Sequence, residues 1–186
     1  MERELEPRLT YHNLAHTFDE VLPMTQKLAD YYHLGGNDLN FLVVAAAFHD
    51  IGWVIQSQEH ETIGVEIARG ILPTYGFTVD QIERIGEMII ATRLPQNPAN
   101  LLEEILVDAD MDSLGREDFW LRNEDLRVEL ALDDELLTIE QWYWRQLNFL
   151  ELHRFFTTGA RLLRREQKLK NIKELQRRLA QFSEEI

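Results

Sequence analysis

The sequence predicts an all-α fold, on three observations. Apolar residues recur at helical spacing through most of the chain, capping-box pairs open two of the segments, and no sustained period-two run or Asn-Gly or Asp-Gly hairpin pair marks a strand. Roughly seven helices follow from that pattern.

Taken in order, Leu14, Phe18, Val21, Leu22, Leu28 and Ala29 give a helix from Asn13 to His33 that Pro23 is expected to bend. Gly35 and Gly36 stop it, and Asp38 is the expected cap of the next segment. That segment, Leu39 to Gly52, is apolar on every side and reads as a helix buried all round. At about a dozen residues it is too short to cross a bilayer. It ends in His49 and Asp50, which are costly to bury without a hydrogen-bonding or metal partner. After a polar loop at Gln56 to Glu59, Ile63, Ile67, Ala68, Ile71 and Leu72 mark a helix closed by Pro73. Thr78 and Gln81 open a helix that ends near Arg93-Leu94-Pro95, and Asn97-Pro98 starts one that runs to Ala109 and is closed by Gly115. A further helix is expected over Asp118 to Leu130. Thr138 and Gln141 then open a long helical stretch to Ser183 that Gly159 is expected to divide. The acidic loop Asp133, Asp134, Glu135 is the expected boundary between a core at residues 1–132 and C-terminal helices at 133–186.

The 186 residues are 45% hydrophobic and 28% charged, which suits one ordered domain with a helical extension. The absence of cysteine excludes a disulfide framework, thiolate metal sites and a cysteine nucleophile. A formal charge of -14 argues against nucleic acid or an anionic membrane as partner. A small phosphorylated substrate stays compatible if a cation inverts the local charge. The N-terminal MERELEPRL lacks the apolar core of a signal peptide, and no segment is long enough to span a membrane, so a cytoplasmic location is expected.

Three groups of metal-capable side chains fall at helix ends: His12 and His16 in YHNLAH, His49 and Asp50 in FHDIG, and Asp108, Asp110 and Asp112 in DADMDSLG. His12 and His16 share a helix face if that turn is helical. Two imidazoles and two carboxylates converging from three helices would make a mixed nitrogen and oxygen site. Such a site suits an octahedral Mn, Fe, Co, Ni or Mg ion better than a tetrahedral structural zinc. Helical geometry does not choose among the aspartates: Asp108 and Asp112 share a face and Asp110 points away from it.

These segments, in this order beside an apolar helix, resemble the HD-domain superfamily of metal-dependent phosphohydrolases. The family pattern is a His, then a His-Asp pair, then a distant Asp on a compact helical core, which here corresponds to His16, His49, Asp50 and Asp110. The resemblance covers about residues 8 to 130 and continues more weakly into the C-terminal helices. YHNLAH is similar to the Tyr-His-Asn-x-x-His box of the cyclic-nucleotide phosphodiesterase branch. That likeness makes His16 a metal ligand and His12 the proton donor or phosphate contact. DADMDSLG resembles the Asp-Ala-Asp segment of small bacterial members, which favours Asp110 as ligand. Asp50 is then both ligand and catalytic residue.

Departures narrow the expectation. Ile51-Gly52-Trp53-Val54 lacks the acidic pair of members that hydrolyse guanosine tetraphosphate and the later Glu of the deoxynucleotidase branch, and the Gly-Tyr-Pro signature of cyclic-di-GMP hydrolases is missing. Arg93 stands where two-metal members place another His, so one ion per chain is expected. His60 reads as a ligand or phosphate contact or as a first-turn residue. Arg93 reads as a bidentate phosphate partner or as a cation at its helix C-terminus. His33 and His153 receive no catalytic role.

The basic run Arg161, Arg164, Arg165, Lys168, Lys170, Lys173, Arg177 and Arg178 reads as a solvated helix face. Leu169, Ile172, Leu175 and Leu179 of the same helix would pack inward or against a second chain, which would make a homodimer. Trp142, Trp144, Phe149, Phe155 and Phe156 read as core. The expected activity is hydrolysis of a small phosphate ester, a nucleotide being one candidate; the rival is a regulatory HD-domain module that binds without turning over.

Overall fold

A computed structural model describes residues 9–131 and 137–184. The acidic loop at Asp133 to Glu135 lies outside the described residues. Among them the chain forms eight α-helices and no strand: α1 (Leu22–Tyr31), α2 (Gly36–Phe48), α3 (His60–Ile71), α4 (Val79–Ala91), α5 (Leu101–Asp110), α6 (Phe119–Ala131), α7 (Ile139–Leu152) and α8 (Thr158–Glu184). No helix among the described residues is long and apolar enough to cross a membrane.

The described residues fall into two compact units that divide between Met111 and Asp112, well before the acidic loop. The first, His12–Met111, holds α1 to α5. Its centre is α2, which packs against α1, α3, α4 and α5; only the stripe Phe41, Leu42, Ala45 and Ala46 is fully buried, while Val43, Val44, Ala47 and Phe48 are half-buried, so the helix is not buried all round as its composition suggests. Leu28, Leu42, Ala45, Ile85, Ile89, Ile105 and Leu106 are sealed from solvent around it. Gly64 lets α3 come close to the end of α2, since a Cβ there would lie 2.9 Å from the Phe48 carbonyl oxygen.

Several boundaries differ from the sequence reading. Helix α2 begins at Gly36, so Asp38 sits in its first turn, favourable to the helix dipole, and is not the cap. Helix α5 starts later than Asn97-Pro98 suggests. Its cap is Asn100, whose Oδ1 accepts from the backbone N–H groups of Leu102 and Glu103 at 3.0 and 3.2 Å. Both Thr capping boxes form as expected.

The second unit comprises the described residues 9–11 and 112–184. Phe119, Trp142, Leu150 and Leu175 form its core, and the Trp142 indole N–H donates to Asn123 Oδ1 at 2.7 Å. The long helical stretch breaks at His153, in extended conformation, and not at Gly159. Gly159 lies in the first turn of α8, where Thr157 Oγ1 accepts from the Ala160 N–H and so starts the helix earlier.

The basic run is only partly a solvated face. Lys168 is 7% exposed and donates to the His153 carbonyl at 2.7 Å, and burial, with nearby Arg154, pulls its pKa down to about 8. Leu175 and Leu179 pack inward, whereas Leu169 is exposed. Trp144 is exposed as well, since it lies on the face of α7 away from buried Trp142.

Truncating a sealed core side chain is expected to cost about 2–5 kcal/mol. Leu106→Ala in α5 should therefore lower the urea midpoint of the cooperative transition clearly; an unchanged midpoint would contradict the central packing of this helix.

Candidate metal centre

Each candidate ligand is placed by a helix end. Asn13 Oδ1 accepts from the His16 backbone N–H at 3.1 Å, so the Asn of YHNLAH starts the helix and puts His16 in its first turn. The next residues, His16–Val21, wind as a π-helical turn, a form frequent at functional sites. His49 follows the last residue of α2, and Asp50 leaves the helix with φ -106° and ψ 3°. Asp110 is the last residue of α5.

The three helix ends meet. His16, His49, Asp50 and Asp110 each bring one donor atom into a group whose members all lie within 4.8 Å of one another. Asp50 Oδ2 lies 3.6 Å from His16 Nε2 and 3.1 Å from His49 Nε2. Asp110 Oδ1 lies 3.3 and 3.5 Å from the same two nitrogens. Cis donors around an ion with bonds of about 2.1 Å are separated by about 3.0 Å, so a modest contraction of this group encloses a divalent cation.

The hydrogen bonds behind the rings aim them. His49 Nδ1 faces the Ala46 carbonyl at 2.8 Å, so that nitrogen carries the proton and donates it. His16 Nδ1 faces Glu20 Oε2 at 3.1 Å with the same consequence. Both Nε2 atoms then turn inward toward carboxylate oxygens. His49 Nε2 and Asp50 Oδ2 are buried without a hydrogen-bond partner among the described residues. Buried donor atoms pointed at a common centre and left unsatisfied by protein are what a bound cation would satisfy.

Electrostatics state the same demand for positive charge. Burial alone would lower the pKa of His16, yet hydrogen bonds to Asp110 and Glu20 and the charge of Asp50 raise it overall. Burial likewise opposes charge on His49, but Asp50 and Asp110 hold its pKa well above the ordinary 6.5. Burial would raise both carboxyls, and the adjoining imidazoles instead hold Asp50 and Asp110 below the ordinary 3.8.

The remaining candidates line one side of this group. His12 stacks on Trp53, with ring centroids 3.9 Å apart and planes 12° from parallel, and its ring lies 6.1 Å from that of His16. His60 opens α3 with Nδ1 facing the Ser57 carbonyl at 2.9 Å and Nε2 3.5 Å from Asp50 Oδ1. Gly52 makes this approach feasible, because a Cβ there would lie 2.0 Å from the His60 carbonyl oxygen. Arg93 is one step removed: it donates through Nε to buried Glu61 at 3.3 Å and through Nη2 to Thr62 Oγ1 at 2.5 Å. Glu61 in turn lies 3.5 Å from His60 Nε2.

The aspartates separate cleanly. Asp110 joins the histidines, whereas Asp112 belongs to the second unit and accepts from Arg164 Nη2 at 2.9 Å. Asp108 is buried and is not part of the donor group. Glu20, Trp53 and Glu61 were not among the sequence candidates. Of these only Glu20 carried a usable signal, its spacing of one helical turn from His16.

The HD domain pattern matches residues 14–114, more than half of the chain, and this span contains every member of the donor group. The chain belongs to the HD-domain family. His12 lies just outside the matched span. The HD-domain chain is also similar to a crystal structure from an uncultured Thermotogales bacterium, described as a predicted HD superfamily hydrolase. The two share 24% identity over 97% of this chain and 87% of that one, with a TM-score of 0.62, a likeness of fold. No curated protein matches the sequence.

The pKa directions fix a pH dependence. The raised imidazoles contribute stability that is fully present below 6.5 and lost as pH rises through their folded values; the lowered carboxyls contribute stability present above 3.8 and lost as pH falls through theirs. Metal-free protein should therefore lose thermal stability as pH rises from about 6 to about 9, while Mn(II) binds more tightly over the same range as protons leave. Melting curves and Mn(II) titrations across that range check both trends. A flat melting temperature with pH-independent affinity would contradict them.

Proposed function

We propose that this HD-domain chain is a cytoplasmic metal-dependent phosphohydrolase that cleaves a small phosphate ester, with one divalent ion held by His16, His49, Asp50 and Asp110. The observation that carries the reading is the convergence of those four donor atoms within 4.8 Å, two of them buried and otherwise unsatisfied. When bound, the ion supplies Lewis acidity, lowering the pKa of water beside it and polarising a phosphoryl oxygen. The likeness in fold to a protein described as a predicted HD superfamily hydrolase supports the reaction class.

The chain's own residues divide the remaining work. Asp50 turns Oδ2 to the imidazoles and Oδ1 toward His60, so Oδ1 accepts a hydrogen bond from the attacking water and orients it. His12, held flat against Trp53 beside His16, donates a proton to the leaving oxygen. His60 contacts the phosphate from the other side of Asp50. Arg93, anchored on Glu61 and Thr62, sets the positive charge at the outer edge of the substrate path.

The Arg93 anchoring also favours a second reading. A guanidinium already engaged by a buried carboxylate has less to offer a phosphate, which suits a module that binds a ligand without hydrolysing it.

The test is phosphate release from a mixed panel of esters with Mn(II) or Co(II) added, together with elemental analysis, on the parent and Asp50→Ala. The expected result is release by the parent and loss of both metal content and turnover, by at least about a hundredfold, in the variant. Asp50→Ala hydrolysing as well as the parent would overturn the mechanism. Tight ligand binding without release in the parent would favour the module.

A further inference from the structure

We infer that Glu20 is a positioning residue of the metal centre: its carboxylate, 3.1 Å from Nδ1 of His16, locks that ring with Nε2 inward and strengthens it as a donor. The inference rests on the metal reading of the four-residue group and adds to it a residue outside the coordinating set.

Glu20 meets the far nitrogen of the ring. Oε2 lies against Nδ1, while Nε2 on the opposite side of the imidazole faces Asp110 Oδ1 and Asp50 Oδ2 at 3.3 and 3.6 Å. The carboxylate is therefore behind the ligand and does not belong to the donor group, which consists of His16, His49, Asp50 and Asp110. Carboxylates face both ring nitrogens, so when a cation takes the Nε2 lone pair the proton that remains is the one on Nδ1, and Glu20 is placed to accept it. The π-helical turn His16–Val21 contains both residues, so one local piece of backbone sets their pairing.

Comparison of the two imidazoles shows what Glu20 adds. His49 is aimed by a neutral acceptor, the Ala46 carbonyl of its own helix at 2.8 Å. A carbonyl fixes the tautomer and the ring plane. His16 is aimed by an anion instead, and a carboxylate accepting from Nδ1–H pushes electron density across the ring to Nε2, which raises its basicity toward a cation. The side chain of Glu20 is only 12% exposed, so little water screens its charge from the His16 ring.

The experiment measures Mn(II) dissociation constants by titration of the full chain, for the parent, Glu20→Gln and Glu20→Ala, alongside 15N–1H spectra of the His16 ring with diamagnetic Zn(II) added. The expected result is one Mn(II) bound by the parent, affinity about 10-fold weaker in Glu20→Gln, which keeps an oxygen acceptor without charge, and up to about 100-fold weaker in Glu20→Ala. The spectra should show a slowly exchanging Nδ1–H in the parent and a rapidly exchanging one in Glu20→Ala. If Glu20→Ala fails to fold, the near-isosteric Glu20→Gln decides alone. Parental Mn(II) affinity and an unchanged Nδ1–H exchange rate in a folded variant would overturn the inference while leaving the metal reading intact. Failure of the parent to bind Mn(II) would instead overturn the metal reading, and the inference with it.

Discussion

Two carboxylates and two imidazoles withdrawn from water around one point constitute the constraint on which the first unit depends. Asp50 and Asp110 repel each other at that depth, and burial by itself opposes charge on every member of the group. The arrangement is tolerable only with positive charge at its centre. Protons on His16 and His49 meet the demand in part, and a divalent cation would meet it more fully, which is why this geometry marks a candidate metal centre.

The helices serve this point in an orderly way. Helix α2 is apolar on all sides because it lies among four others, and its length places His49 and Asp50 where it leaves the core. Helix α5 delivers Asp110 from its final residue, and the turn capped by Asn13 delivers His16 from its first. The tight approach of Gly52 to the first residue of α3 then brings His60 and the Trp53–His12 stack against the open side.

Much of this was legible in the sequence. A run as uniformly apolar as Phe41 to Phe48 permits little except a central helix, and a His-Asp pair closing it demands partners. What could not be read was any choice that depends on contacts between distant residues. Asp110 and Asp112 are two residues apart and equivalent by composition. They are separated by Arg164, 52 residues beyond Asp112, which claims the latter for the second unit. Lys168 looked like one more surface cation until the His153 carbonyl gave it a buried partner. Arg93 read equally as a phosphate partner or a helix-end cation, and its engagement by Glu61 depends on how α3 and α4 pack. Helix boundaries failed for a simpler reason: Asp38, Asn97 and Gly159 each had the right chemistry for a terminus, but Gly35, Asn100 and Thr157 occupied the positions where that chemistry was used.

The most direct measurement of the central claim is anomalous diffraction from crystals of the chain soaked in Mn(II), with data collected on both sides of the manganese absorption edge. The account predicts one peak per chain, within coordinating reach of His16 Nε2, His49 Nε2 and oxygens of Asp50 and Asp110. A peak elsewhere, or none at saturating Mn(II), would contradict it.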